Sequence, residues 1–191
     1  MKKVIKQHDL YGNILYKEEY WRKVEPLKCI YNNSIVKIPV DMSLIGSDYI
    51  EYELGISNLI LEYSTLDEVE EEKKEYDEYG KKVKERYIQY LVNIEDTIKK
   101  VEEIIIDDYA RYRKEWTEEE IVKHNSPTVA KKILNASSPE KILKLVKVKH
   151  IIVYDDRVVL ELKCPWYTAS DAGVLLNENG TIEIGNGEMM Q

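Results

Sequence analysis

The stretch that decides the fold runs from Val83 to Trp116 and reads VKERYIQYLVNIEDTIKKVEEIIIDDYARYRKEW. Its apolar and aromatic residues recur at steps of three and four, so one stripe of a helix is apolar while its other faces are charged. The stripe consists of Val83, Tyr87, Tyr90, Leu91, Ile94, Ile98, Val101, Ile105, Tyr109 and Tyr112. Short β-strands elsewhere in the chain could cover it. We therefore predict an α+β domain in which antiparallel strands from both ends of the chain pack on a long central helix, or on two helices in series.

The predicted helical region is wider than this stretch and covers residues 65–146. Thr65 and Glu68 form a Thr-x-x-Glu capping box, which marks a helix start, and Gly80 is a candidate interruption. A continuous helix from that glycine to the end of the stretch would be about 55 Å long. A break within Asn93–Thr97, where polar residues could cap a second helix, would let two segments pack.

Shorter helices are predicted on the arm that follows the central stretch. Thr117 and Glu120 repeat the capping-box pattern. Ser126-Pro127 and Ser138-Pro139 each place a capping serine before proline, which is favoured at the first helical position. The expected ranges are 117–123, 127–134 and 139–146.

Both ends of the chain are predicted to be mainly β structure, over residues 1–63 and 147–185. Asn32-Asn33 suits a two-residue hairpin turn because asparagine tolerates positive φ, and Asn179-Gly180 is the strongest hairpin signal in the chain. Asp155-Asp156 separates another pair of strands. The expected strands are 14–21, 27–31, 34–40, 56–63, 148–154, 157–164, 173–177 and 181–184, with a further strand opening at Val4-Ile5 and a loose tail at 186–191.

Length and charge indicate a single globular domain over residues 1–191. The net charge is −8 and no basic cluster is large enough to neutralise a run of phosphates, which disfavours nucleic-acid binding. No apolar run approaches the ~20 residues that span a bilayer, and no hydrophobic segment of a secretory signal follows the first lysines. We therefore expect a cytoplasmic protein without membrane association, in which Cys29 and Cys164 are reduced.

Catalytic and metal-binding patterns give no positive signal in the sequence. His8, His124 and His150 are scattered, and although Glu120 and His124 share a helix face, two ligands do not make a metal site. The chain has no Gly-rich phosphate loop, no nucleophile elbow and no Cys-x-x-Cys motif. We therefore predict no catalytic, cofactor or metal site.

Two surfaces are candidates for contact with a partner. Trp166 and Tyr167 follow a strand end, where a large ring could be exposed, although burial is the simpler expectation for tryptophan. The acidic stretch at Glu70, Glu71 and Glu72 could meet a basic partner, although a solvated helix face is its simpler interpretation. The 15 tyrosines, with no phenylalanine, suit half-buried packing sites or a tyrosine-rich contact surface.

A series of short motifs carries a resemblance to a known family. They are Tyr11-Gly12 with Trp21 downstream, Gln89-Tyr90, Asp108-Tyr109, Pro139-Glu140, Leu145-Val146, Cys164-Pro165-Trp166, Gly173-Val174, Asn179-Gly180 and Glu183-Ile184-Gly185. With these motifs the chain resembles an uncharacterised bacterial family, a domain of unknown function related to immunity-like proteins of toxin neighbourhoods. Where that family has an acidic-His-Gly patch, this chain has the segment 167–171, so a site that used the histidine would be absent. The resemblance implies an α+β architecture and a toxin-neutralising or other protein-binding role.

These observations favour a non-catalytic cytosolic interaction protein, of which an immunity protein is the specific case that the resemblance implies. A negative surface would steer a basic, toxin-like partner. Two alternatives remain open. One is an enzyme of unrecognised type whose carboxylates and histidines converge in a deep pocket. The other is a regulatory module that binds a small ligand in an apolar cavity beneath the helix. The sequence does not indicate the oligomeric state.

Overall fold

The computed structural model describes residues 5–8, 10–17, 20–43, 66–168 and 171–186. Over these residues the chain forms five α-helices and ten β-strands, so the predicted α+β class is confirmed. The helices are α1 (Leu66–Val92), α2 (Ile94–Glu115), α3 (Glu118–His124), α4 (Pro127–Leu134) and α5 (Pro139–Leu143). The strands are β1 (Ile5–His8), β2 (Gly12–Lys17), β3 (Tyr20–Lys23), β4 (Leu27–Tyr31), β5 (Ser34–Ile38), β6 (Val40–Met42), β7 (Lys147–Val153), β8 (Arg157–Lys163), β9 (Ala172–Asn177) and β10 (Ile182–Asn186).

Eight of these strands form one large sheet in the order β1-β2-β3-β6-β7-β8-β9-β10. Neighbouring strands are antiparallel except β6 and β7, which are parallel and pair Val40 with Ile151 and Met42 with Val153. Because all the helices lie between β6 and β7 in the described sequence, this parallel pair joins the N-terminal strands to the C-terminal strands. β4 and β5 form a separate two-stranded hairpin, whose turn residues Asn32 and Asn33 both have positive φ, of 48° and 55°.

The central helical stretch is divided into α1 and α2 at Asn93, the first residue of the segment predicted to hold a break. Asn93 has φ −112° and ψ 16°, and its side chain makes no capping bond to α2. The interruption proposed at Gly80 is wrong, because α1 runs through this residue. Gly80, Val83 and Tyr87 lie on one buried stripe, and burial of the large side chains outweighs the ~1 kcal/mol that a helical glycine costs. Thr65 lies outside the described residues.

One buried cluster contains residues from both the helices and the strands. The buried members of the predicted stripe are Val83, Tyr87, Tyr90, Ile98, Val101, Ile105, Tyr109 and Tyr112, whereas Leu91 and Ile94 are half-buried. The same cluster contains Trp21 of β3, Ile151 of β7 and Leu160 of β8. Burial alternates in the second half of β8, where Leu160 and Leu162 are buried in this core while Glu161 between them points to the opposite face of the sheet.

The local signals that start the short helices are confirmed. Thr117 Oγ1 accepts from the Glu120 N–H at 3.3 Å, and Glu120 Oε2 accepts from the Thr117 N–H at 2.7 Å, which completes the capping box of α3. The side chains of Ser126 and Ser138 cap α4 and α5 by accepting from the Val129 N–H and the Lys141 N–H, and each serine is followed by proline. α5 ends at Leu143, three residues before the predicted end.

Some strand boundaries differ from the prediction. The expected strand 14–21 is replaced by β2 and β3, and the expected strand 34–40 is divided into β5 and β6 at Pro39. Proline has no N–H to continue a ladder, and the Pro39 carbonyl instead accepts from the Ile151 N–H at 2.9 Å. β10 reaches Asn186, one residue into the expected tail. The expected strand 56–63 lies outside the described residues.

Candidate functional site

The first half of α1 concentrates the negative charge of the chain. From Asp67 to Glu78 the sequence has eight acidic residues and two lysines. The predicted contact residues Glu70, Glu71 and Glu72 all lie in this half-helix. Glu71 is exposed, and the side chains of the other two lie outside the described set.

Three glutamates in this half-helix share one exposed stripe. Glu71, Glu75 and Glu78 follow one another at spacings of four and three residues, and all three are exposed. No cation among the described residues lies within ion-pair distance of them. Like charges at this spacing destabilise a helix by about 0.2–0.5 kcal/mol per pair. The stripe is therefore a negative surface that a cationic partner would stabilise.

Trp166 and Tyr167 follow the end of β8, and both contact Asp108 in α2. Trp166 is only 6% exposed, and its Nε1–H donates to Asp108 Oδ2 at 2.7 Å. Its ring meets the Tyr109 ring edge-on at 5.2 Å. Tyr167 is half-buried, and its hydroxyl donates to Asp108 Oδ1 at 3.1 Å. Trp166 thus lies in the core, as the sequence favoured, and of the two rings that of Tyr167 offers the larger surface to a partner.

Asp108 is one of the few buried charged residues in the described part of the chain. Its side chain is 3% exposed, and Arg111 is its third donor beside Trp166 and Tyr167. A buried carboxylate without donors would be strongly destabilising. Burial, and next the negative charge of Asp108, raise the pKa of Tyr167, so its hydroxyl stays protonated and continues to donate. The arrangement fastens the segment after β8 to α2.

The sequence prediction missed the role of Asp108, although a signal for it exists. Asp108 follows Ile105 by three residues and precedes Tyr112 by four, so helical spacing places it on the apolar stripe. A carboxylate on such a stripe must find buried donors. Trp166 and Tyr167 each have an aromatic ring with a hydrogen-bond donor. Because they follow Asp108 by 58 and 59 residues, the sequence does not reveal that they bind it.

Four ionisable side chains form a network on the sheet face that Glu161 occupies. Glu161 Oε2 bonds to His150 Nδ1 at 2.7 Å, and Glu161 Oε1 accepts from Lys149 Nζ. Lys149 also donates to Asp171 Oδ2 at 2.5 Å. The bonds to Asp171 and then Glu161 raise the pKa of Lys149, and the bond from Lys149 lowers the pKa of Asp171. Both oxygens of Glu161 are therefore occupied by partners within the protein.

The two histidines whose side chains the structure describes have different partners. His150 belongs to this network, whereas His124 lies at the end of α3 with its ring edge-on to Trp116 at 5.3 Å. The side chain of His8 is outside the described set. His124 lines the same cleft as Asp171, but no hydrogen bond joins them. Over the described residues, no three His, Cys, Asp or Glu side chains are grouped so that they could hold a metal ion.

That cleft has a volume of about 620 Å³ and lies between the turn from α3 to α4 and the paired ends of β7 and β8. Lys147 and Lys163 are direct cross-strand partners there, and both are exposed. Asp171 is the single carboxylate among the described residues that line it. The remaining lining residues are His124, Asn125, Ser126, Val129, Leu145, Cys164, Pro165, Tyr167 and Thr168. The cleft therefore combines a cationic edge with an apolar wall, and the charge pattern of the sequence did not indicate it.

A smaller cavity of about 240 Å³ lies where α1 meets α2, against the β9–β10 hairpin. Arg86 and Lys100 line it together with Val158 and Leu176. Arg86 is already engaged, since it donates to the Asp155 carbonyl and forms an ion pair with Glu178 at 3.2 Å. The lining residues of this cavity are both charged and apolar, whereas the small-ligand alternative calls for an apolar cavity beneath the helix.

Comparisons of the chain with family models, with curated proteins and with solved structures give no match. No helix in the described ranges is both long and apolar enough to cross a membrane.

Proposed function

We propose that this chain is a non-catalytic, cytosolic interaction protein that binds a basic protein partner through the acidic first half of α1. The single observation that carries the proposal is the concentration of charge on this half-helix. Eight acidic residues against two lysines supply most of the net charge of −8, and the described side chains there from Glu71 to Glu78 are exposed. Among the residues of α1 whose burial the structure describes, the first buried one is Gly80.

A surface of this kind acts mainly on association. Clustered charge of one sign raises the rate of encounter with an oppositely charged partner and disfavours partners of like charge. A toxin-neutralising role is the specific form implied by the resemblance to immunity-like proteins, because a basic toxin would be drawn to such a surface. Free Cys29 and Cys164, both buried, fit a reducing compartment.

The proposal includes the support that holds this surface in place. We propose that the strands from the two ends of the chain pack on α1 and α2, and that these two helices together form one central element. Its support is the shared buried cluster, in which Val83 and Ile105 of the helices occur with Val40 and Ile151 of the strands. The first half of α1 would then extend from a fixed base.

The test is affinity capture with a matched pair of charge variants. One variant carries Glu71→Gln, Glu75→Gln and Glu78→Gln, and the control removes the same charge from exposed positions of α2. The control substitutions are Glu95→Gln, Glu103→Gln and Asp107→Asn. We expect the wild type and the control to retain the same basic protein from cells of the source organism, and the α1 variant to lose it. Retention should weaken steeply with salt.

The captured protein also distinguishes a general protein-binding role from the specific immunity role. If the retained protein is toxic when expressed alone and harmless when co-expressed with this chain, the immunity role is supported. If no basic protein is retained, or if the α1 variant and the control behave alike, the proposed surface is wrong.

A further inference from the structure

We propose that the 620 Å³ cleft between the α3–α4 turn and the ends of β7 and β8 binds a small phosphate monoester, with the phosphate held between Lys147 and Lys163. The volume lies within the roughly 300–1,000 Å³ of small-molecule sites. No segment of α1 lines the cleft, so this inference does not depend on the acidic surface proposed above.

The first argument is the charge of the cleft. Lys147 and Lys163 stand directly opposite each other in the β7–β8 register, a placement that is destabilising for like charges. Among the described residues, neither has a carboxylate within ion-pair distance. Asp171 is near Lys163 but is hydrogen-bonded to Lys149. Counting the adjoining network, three lysines face two carboxylates, which leaves a local positive excess in a chain of net charge −8.

The second argument is the match between this charge and a phosphate. Two lysines provide two point charges on flexible stems, and lysine binds phosphate as a point charge. A phosphate monoester carries about −1.5 to −2 charge at neutral pH. A carboxylate carries a single charge and would neutralise only one of the two lysine charges.

The third argument is the wall beside the lysines. Val129 and Leu145 are half-buried apolar side chains of the cleft, and Pro165 and Tyr167 add two rings. Thr168 is exposed at the edge with a hydroxyl that could bond an ester oxygen. These surfaces suit an apolar or aromatic body attached to the phosphate, so the ester should bind more tightly than inorganic phosphate.

The test is calorimetric titration with phenyl phosphate, inorganic phosphate and benzoate. We expect phenyl phosphate to bind at a single site in the wild type, and both other probes to bind more weakly. The double variant Lys147→Gln and Lys163→Gln should weaken phenyl phosphate binding by about tenfold or more. The control, Lys114→Gln with Lys132→Gln, removes the same charge from exposed positions outside the cleft and should bind as the wild type does.

Amide chemical shifts of the wild type locate the bound probe without any variant. Shifts at Ser126, Lys163 and Thr168 on addition of phenyl phosphate support the assignment. Several results would overturn it: no binding up to about 10 mM, equal binding by the double variant, shifts confined to other regions, or inorganic phosphate or benzoate binding as tightly as phenyl phosphate.

Discussion

The indole Nε1–H of Trp166 donates to the buried Oδ2 of Asp108 at 2.7 Å, across 58 residues of chain. Tyr167 and Arg111 donate to the other oxygen of the same carboxylate. Three donors from two distant segments thus converge on one charge. The pairing holds the segment after β8 against α2, and it should be visible in the stability of the whole domain.

Asp108→Asn tests this anchor. An amide in place of the carboxylate must turn an N–H toward one of the present donors, so we expect the free energy of unfolding to fall by about 2–4 kcal/mol. The control is Asp107→Asn at the exposed neighbouring position, which should stay within about 0.5 kcal/mol of the wild type. Urea unfolding followed by circular dichroism measures both. Equal stability of the two variants would show that the anchor contributes nothing.

Removal of the hydroxyl should change the free energy of unfolding in opposite directions at two buried tyrosines. The Tyr109 hydroxyl donates to the Ile133 carbonyl at 2.6 Å, whereas the buried Tyr90 hydroxyl has no hydrogen-bond partner among the described residues. Tyr109→Phe should lower the free energy of unfolding by about 1–2 kcal/mol, and Tyr90→Phe should raise it by about 1 kcal/mol. The pair is its own control, because each change removes a single oxygen. A loss of stability in Tyr90→Phe would point to a partner for that hydroxyl.

Stability should fall on the alkaline side. Burial raises the pKa of many tyrosines, so the folded state keeps protons that the unfolded state releases above about pH 10. The stabilisation from these groups is therefore complete below that pH and is lost as the pH rises through the folded values. The groups concerned are Tyr11, Tyr31, Tyr79, Tyr87, Tyr90, Tyr109, Tyr112 and Tyr167.

Cys29 and Cys164 should also lower the stability of the folded protein as the pH rises. Their effect begins at a lower pH than that of the tyrosines. Burial raises the pKa of both thiols, and an unfolded thiol titrates at about pH 8.5. The free energy of unfolding should thus begin to fall near this pH and fall more steeply above about pH 10. Urea unfolding at a series of pH values, with tyrosinate absorbance recorded alongside, checks the order. Tyrosinate forming in the folded protein at the pH of free tyrosine would contradict the expectation.

The turn between β4 and β5 gives a local prediction. Asn33 has φ 55°, a conformation that costs an ordinary residue about 1–2 kcal/mol but costs glycine nothing. Asn33→Ala should lower the free energy of unfolding by about 1 kcal/mol, and Asn33→Gly should not lower it. Ser34→Ala, at the exposed next position, serves as control and should change it by less than about 0.5 kcal/mol. Thermal unfolding measures all three.

The features that sequence predicted well are those set by neighbours in the chain. Ser126-Pro127 and the capping box of Thr117 and Glu120 specify a helix start within four residues, and the structure has α4 and α3 there. The Asn32-Asn33 turn is equally local. The break at Asn93 is predictable because one continuous helix over the central stretch would be longer than a domain of this size.

The features that sequence did not predict depend on partners far apart in the chain. No sequence signal near Asp41 indicates that β6 pairs in parallel with β7, where Asp41 lies opposite Ile152. The cleft was missed for the same reason, because Lys147 and Lys163 become neighbours only through the β7–β8 register. The predicted interruption at Gly80 is wrong because the backbone preference of glycine favours a break, whereas the packing on either side of Gly80 keeps α1 continuous.

The parallel pairing of β6 with β7 has a consequence while the chain is being synthesised on the ribosome. Ser43 donates from its hydroxyl to the Val153 carbonyl at 3.2 Å, and these residues are 110 positions apart. While the ribosome is still making the helices, β6 has no β7 beside it, and one edge of the N-terminal ribbon stays open. An open edge can recruit a foreign strand, and closing so distant a pair is slow. The nascent chain is thus most exposed to aggregation during the interval between the two strands, and a chaperone would have the most effect then.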